Sequence, residues 1–111
     1  MEYMFFIATD QEPDAGTETP DMIEAWIEEG ARRGIHKQGD RLRPPSDATT
    51  VRMRSGEKVI TDGPFAEAKE WIAGYDIVEC TDLDEAIDYA SRHPMARFGR
   101  IEIRPMWPMG E

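Results

Sequence analysis

From Tyr3 to Thr9 apolar residues occupy both parities of an extended chain: Tyr3, Phe5 and Ile7 on one side, Met4, Phe6 and Ala8 on the other. A strand with two apolar faces is one that expects a cover on each. Asp10 to Thr19 is polar and carries Pro13 and Gly16, the composition of a loop. Thr19-Pro20-Asp21 then reads as a helix start, with Thr at the N-cap, Pro in the first turn and an acid beside it. Met22, Ile23, Trp26, Ile27 and Ala31 recur at helical spacing. Arg32 and Arg33 suit the negative end of the helix dipole, and Gly34 suits the left-handed position that ends it.

Two further strands are predicted over Lys37–Pro44 and Thr49–Arg54, separated by Pro44-Pro45-Ser46-Asp47. Ser55-Gly56-Glu57 is a hairpin turn into Lys58–Thr61. A turn follows at Asp62-Gly63-Pro64-Phe65, then one helical turn over Ala66–Trp71. A strand resumes over Ile72–Glu79, with Gly74 marking a bulge. Asp82-Leu83-Asp84-Glu85 has the form of a capping box, and Leu83, Ala86, Ile87 and Ala90 form the apolar stripe of a second helix that His93-Pro94 ends. Arg100–Pro105 is the last strand. The order matches a split βαβ arrangement: a ferredoxin-like α+β fold, an antiparallel sheet with two helices on one face. The uncovered face of the first strand then calls for a partner sheet, giving a homodimer with a cleft between two sheets.

Length and charge narrow the function classes. A chain of 111 residues is one domain with one modest core. The net charge of -10 disfavours nucleic acid and anionic membrane surfaces as partners. No apolar run approaches the roughly 20 residues of a membrane helix, and the acidic Glu2 is unlike the basic flank of a signal peptide, so a cytoplasmic location is expected. Cys80, the single cysteine, lies in an apolar strand pattern and reads as a buried, inert thiol. There is no Walker motif, G-x-G-x-x-G, nucleophile elbow or clustered His/Cys spacing, so no cofactor or metal is expected. His36 reads as a solvated residue of a helix-to-strand turn, and His93 as a partner of a helix C-terminus.

The candidate chemistry lies elsewhere. Asp62, held in its turn by Gly63 and Pro64, is either an Asx-turn residue or a carboxylate available as a general base. Arg41 and Arg43 alternate with Leu42, and Arg52 and Arg54 with Val51 and Met53. If Leu42, Val51 and Met53 pack under the helices, these arginines share the opposite face, where Arg104 joins them. Such guanidinium groups either bind a small anionic ligand through bidentate forks or form ion pairs across the dimer. Met106-Trp107-Pro108-Met109 reads as a segment packed across the dimer interface, or as a clamp over a ligand.

Asp62-Gly63-Pro64-Phe65, the charged Glu67/Lys69/Glu70 cluster after it and Gly74-Tyr75 carry a family resemblance. So do Leu42-Arg43-Pro44-Pro45, Ala48-Thr49-Thr50-Val51-Arg52, Leu83-Asp84-Glu85-Ala86 and the closing Glu102-Ile103-Arg104-Pro105. Together they resemble the DGPF-domain branch of the YCII-related family over nearly the whole of residues 1–111. The resemblance implies a ferredoxin-like subunit that forms a dimeric α/β barrel. It implies no settled activity, although a His and an Asp have been proposed as a catalytic pair in the smaller YCII-type members. Those carry the histidine inside the first helix. Here no His lies between Thr19 and Gly34, Trp26 stands in that region, and Asp62 is an acidic candidate by position alone. Occurrence of this branch near sigma-factor genes implies a regulatory context.

The resulting expectation is a small-molecule-binding or weakly enzymatic dimer. Asp62 is the candidate catalytic residue, and Arg43, Arg52 and Arg104 are the candidate substrate-binding residues around an inter-sheet cleft. Lyase- or isomerase-type acid–base chemistry on a small anionic compound fits the absence of a recognisable cofactor motif. The competing expectation is a regulatory or protein-interaction module linked to transcription.

Overall fold

The hydrophobic pattern resolves into a two-layer arrangement in the computed structural model, which describes residues 1–111. In chain order the elements are β1 (Glu2–Thr9), α1 (Pro20–Arg32), β2 (His36–Arg41), β3 (Thr49–Arg54), β4 (Glu57–Asp62), β5 (Ile72–Glu79), α2 (Leu83–Ser91), the single turn α3 (Met95–Phe98) and β6 (Gly99–Pro105). The main sheet has the order β2-β5-β1-β6, and β3-β4 form a separate two-stranded sheet. All pairings are antiparallel. This is the ferredoxin-like order, with the β3-β4 hairpin inserted between its second and third strands.

The two faces of β1 meet different surroundings. Tyr3, Phe5 and Ile7 are buried with Trp26, Ile35, Val78, Cys80, Ala86, Tyr89 and Ala90 in the core between sheet and helices. Met4, Phe6 and Ala8 lie on the other face, opposite Tyr75 and Ile77 of β5 and beside Arg104 and Glu102 of β6 by register, and stay partly accessible. The molecule is a slab of 48 × 41 × 20 Å, and the β3-β4 hairpin pairs with no strand of the main sheet.

Local signals explain the element ends. Asp82 accepts a hydrogen bond from the Glu85 N–H at 2.9 Å, and Glu85 reaches back to accept one from the Thr81 N–H at 2.8 Å. Thr19 stands at the N-cap of α1 without a side-chain cap bond. Gly34 has φ +72°, and the Ile35 N–H reaches the Gly30 carbonyl at 2.8 Å, so the chain turns sharply into β2. Ser55 (φ 51°) and Gly56 (φ 77°) form the left-handed pair of a tight hairpin turn. The bulge in β5 falls at Ala73, beside Gly74, because Ile7 pairs with Gly74 and Ala8 with Ile72.

Four expectations need correction. β2 runs over His36–Arg41 and ends before the prolines, not at Pro44; the separating Pro45–Asp47 form a short 3-10 turn. Ala66–Trp71 is not helical, because so short a stretch does not repay the cost of helix nucleation; Trp71 is tied to β1 by its N–H to Thr9 Oγ1 at 2.9 Å. The turn α3 was missed, and forms because the Met95 N–H finds His93 Nδ1 at 2.9 Å. Leu42, Val51 and Met53 do not pack under the helices: all three are exposed, Val51 and Met53 because β3 and β4 pair only with each other. No helix is long and apolar enough to cross a membrane.

Candidate functional site

Ionisable groups converge inside the helix-facing layer. On β5 the inward parity is Gly74, Asp76, Val78. Asp76 therefore points into the core, opposite Phe5 of β1 and Gly39 of β2. His36, at the start of β2, places Nε2 2.7 Å from Asp76 Oδ1, with both side chains 8% exposed. His93, just beyond α2, places Nε2 3.9 Å from Asp76 Oδ2. Trp26 walls the cluster, its ring 4.5 Å from that of His93 and 5.6 Å from that of His36, both edge-on. Trp26 is itself fixed by stacking on Tyr89 at 4.1 Å and by reciprocal bonds: Trp26 Nε1–H donates to the Tyr89 carbonyl and the Tyr89 hydroxyl to the Trp26 carbonyl.

The backbone leaves space for this carboxylate by design of sequence. A Cβ on Gly39 would lie 2.0 Å from Asp76 Oδ1 and 2.7 Å from the Tyr75 carbonyl oxygen. Gly39→Ala must therefore displace the carboxylate and strain the strand. We expect it to cost about 1–3 kcal/mol and to separate Asp76 from His36. Urea unfolding and the imidazole NMR signals of His36 check the two parts separately.

Protonation follows from these contacts. Burial raises the Asp76 pKa, and the hydrogen bond and charge of His36 oppose that rise. Burial, aided by His36, pulls His93 down to about 4, so it is neutral at pH 7. Neutral His93 accepts the Met95 N–H at Nδ1, so its proton resides on Nε2 and faces Asp76. In its neutral form His36, donating through Nε2 to Asp76, keeps Nδ1 as the free base nitrogen. Asp76 thus holds the neutral tautomer of His36 by a hydrogen bond, as an acidic residue orients a histidine base, while His93 Nε2 faces the same carboxylate from beyond hydrogen-bond distance.

These histidines correct the sequence expectation: His36 is not solvated, and His93 is part of a buried cluster. The signal that could have found them is Asp76, a charged residue at an inward strand position, since an ionised side chain is rarely buried without a partner. No group of three or more His, Cys, Asp or Glu is arranged to hold a metal ion.

The residues singled out by motif are not brought together within one chain. Asp62 is the last residue of β4 and exposed, and the sharp turn comes one residue later, at Gly63 (φ 101°). Arg52 lies on the opposite face of the hairpin from Asp62, because Arg52 pairs with Val59 and Thr49 with Asp62. Arg43, 84% exposed, is paired with Asp47 at 2.9 Å. Arg104 lies on the uncovered sheet face, ion-paired with Glu102 and 5.4 Å from the centroid of the Phe6 ring. Arg41 differs: opposite Gly74 in register, it shares the sheet face of Gly39 and Asp76, and no acidic side chain pairs with it. Cys80 is buried, and burial pushes its thiol up to about 11, which keeps it in the unreactive form. Trp107 and Met109 are exposed, and the C-terminal segment with Met1 and Glu2 lines a cavity of about 760 Å³.

Sheet order, helix placement and an inward His–Asp–His cluster define a ferredoxin-like α+β protein with a buried group of ionisable side chains. The YCII-related domain matches residues 1–110, and the chain belongs to that family. It is also similar to an uncharacterised protein of Rhizobium meliloti (strain 1021), 43% identical over 68 residues. That stretch covers 60% of this chain and 55% of the relative, so the chain spans little more than half of the relative's length.

Proposed function

We propose that the protein is an acid–base catalyst of lyase or isomerase type, acting on a small anionic compound, with His36 as the base and Asp76 as the group that orients it. The observation that supports this reading most strongly is the 2.7 Å contact between His36 Nε2 and Asp76 Oδ1 in a nearly dry setting. In such a site a proton leaving the substrate passes to His36 Nδ1, while the carboxylate stabilises the imidazolium that forms; the proton then returns to another atom of the substrate or to the leaving group. Neutral His93 supplies a second N–H toward the same carboxylate. Arg41, unpaired on this side of the sheet, is suited to the negative charge of the substrate. The catalytic role moves from Asp62 to His36, and the site from the inter-sheet cleft to the helix-facing layer.

The same reading assigns the chain to the DGPF branch through Asp62-Gly63-Pro64-Phe65, and takes it as a cytoplasmic homodimer. Dimer formation is supported by the uncovered face of Met4, Phe6, Tyr75 and Ile77.

The test is a thermal-shift screen with small carboxylates, phosphates and enolisable acids, using wild type, Asp76→Asn and Asp62→Asn, followed by turnover assays on the class that binds. A saturable shift that Asp76→Asn alters and Asp62→Asn retains is the expected result. With a substrate in hand, His36→Gln lowers kcat by about 100-fold. A shift abolished in Asp62→Asn and intact in Asp76→Asn would return the site to the turn.

A further inference from the structure

The cavity of about 760 Å³ lies where the start of β1 meets the segment that follows β6, and no residue of the His–Asp–His cluster lines it. That volume is in the range of sites for small ligands. Its wall is held in place by the chain itself. The Met106 N–H bonds to the Glu2 carbonyl at 2.9 Å, and the Trp107 Nε1–H to the Glu111 main-chain oxygen at 3.0 Å. Pro105 and Pro108 flank these contacts and fix their own φ. Trp107 is nonetheless 84% exposed. Its one side-chain donor is already satisfied, so what it offers a ligand is the π surface of the ring.

We infer that this cavity binds a small organic ammonium ion with an apolar body, held against the Trp107 ring and the carboxylates of Glu2 and Glu111. Charge selects this occupant. Glu2 and Glu111 are the ionisable side chains that line the cavity, both are exposed, and neither forms an ion pair within the chain. No Lys, Arg or His lines it. The Met1 ammonium is taken up by Glu79 Oε1 at 2.9 Å and the Cys80 carbonyl at 3.0 Å, and neither residue lines the cavity. Arg104, the nearest cation in sequence, is ion-paired with Glu102 and lies over the Phe6 ring. An electron-rich indole and two unpaired carboxylates favour a cation, and the side chains of Met1 and Met106 suit its hydrocarbon part. The net charge of -10 adds attraction at longer range. Small anions of the kind proposed for the His36 site are repelled here, so the two sites take opposite charges.

Nitrogen-edited NMR of the full chain tests this by following the Trp107 indole N–H, assigned with Trp107→Leu, as benzyltrimethylammonium, benzyl alcohol or benzoate is added. The three probes share a ring and differ in charge. The expected result is a saturable shift of the Trp107 signal with the ammonium probe, about 10-fold tighter than with benzyl alcohol, and no shift with benzoate. The double variant Glu2→Gln/Glu111→Gln binds the ammonium probe about 5-fold more weakly, and its unchanged Trp26 indole signal reports an intact core. Equal affinity for benzyl alcohol and the ammonium probe, or a double variant that binds as wild type does, would overturn a site selected by charge. So would a Trp107 signal that no probe moves. A Trp107 signal that moves with protein concentration and ignores the ammonium probe would overturn it too, and give the segment to self-association. The His36–Asp76 chemistry is judged separately by the turnover assay, so failure here leaves that reading standing.

Discussion

Trp26→Ala lowers stability by about 3–5 kcal/mol, the range for truncating a large aromatic in a packed core. For a chain of this size that is a fall in Tm of about 15 °C or more. The residue has several duties at once. Its ring stacks on Tyr89, its Nε1–H satisfies the Tyr89 carbonyl, and its edges contact Phe5, His36 and His93. The Trp26–Tyr89 pair links α1 to α2, as does the ion pair of Glu29 with Arg92 at the end of α2. Trp26→Phe keeps most of the stacking and loses the hydrogen bond, so its cost is smaller, about 1–3 kcal/mol. Trp107→Ala, at an exposed position, changes stability by about 0.5 kcal/mol or less. Urea unfolding followed by far-UV circular dichroism measures all three without relying on the tryptophan signal. Equal losses for Trp26→Ala and Trp107→Ala would refute the packing account.

Stability falls as pH drops from 7 to 4, and His93 supplies roughly 3 kcal/mol of that fall. The folded state holds His93 neutral down to about 4, whereas the unfolded chain protonates it near the ordinary 6.5. Its contribution is therefore fully present above 6.5 and is lost as pH falls through 4. Asp76 acts in the opposite sense. Its folded pKa is raised, so its contribution is present below the ordinary 3.8 and is lost as pH rises through the folded value. It offsets part of the acid loss at the low end. The exposed ion pairs Asp10–Arg100 and Asp14–Arg97 hold their carboxyls low, mainly through backbone hydrogen bonds, and lose stability on acidification in any variant. His93→Gln isolates the histidine. Its stability curve between pH 7 and 4 should be flatter than that of wild type by up to the amount above, read from urea midpoints at three pH values. Parallel curves would show that another group titrates.

Much of the scaffold was legible in the sequence because single elements carry their own signals. Two-sided apolar alternation marked β1, Asp82-x-x-Glu85 marked the start of α2, and Ser55-Gly56 marked a turn that needs two left-handed residues. Alternation within a strand does not say which sheet the strand joins, so the condition that Val51 and Met53 pack under the helices could not be tested from sequence. The candidate centre was harder still. His36, Asp76 and His93 sit 40 and 17 positions apart on different elements, and only antiparallel pairing with the return of α2 brings them together. Each looks ordinary alone. The mismatch at Asp76 was visible in the sequence; its partners were not, because spacing rules describe one helix or strand at a time.

The hydrogen bond between Ala48 and Gly63 also bears on how this fold can change over time. The chain leaves the body and re-enters it through two neighbouring residues, so the length and composition of the segment between them are uncoupled from the register of the four-stranded sheet. Extending such a loop costs only a slowly growing closure entropy. Insertions, deletions or exchange of the whole hairpin would leave the buried His–Asp–His centre in place. The buried cluster and the appended hairpin are therefore open to separate selection.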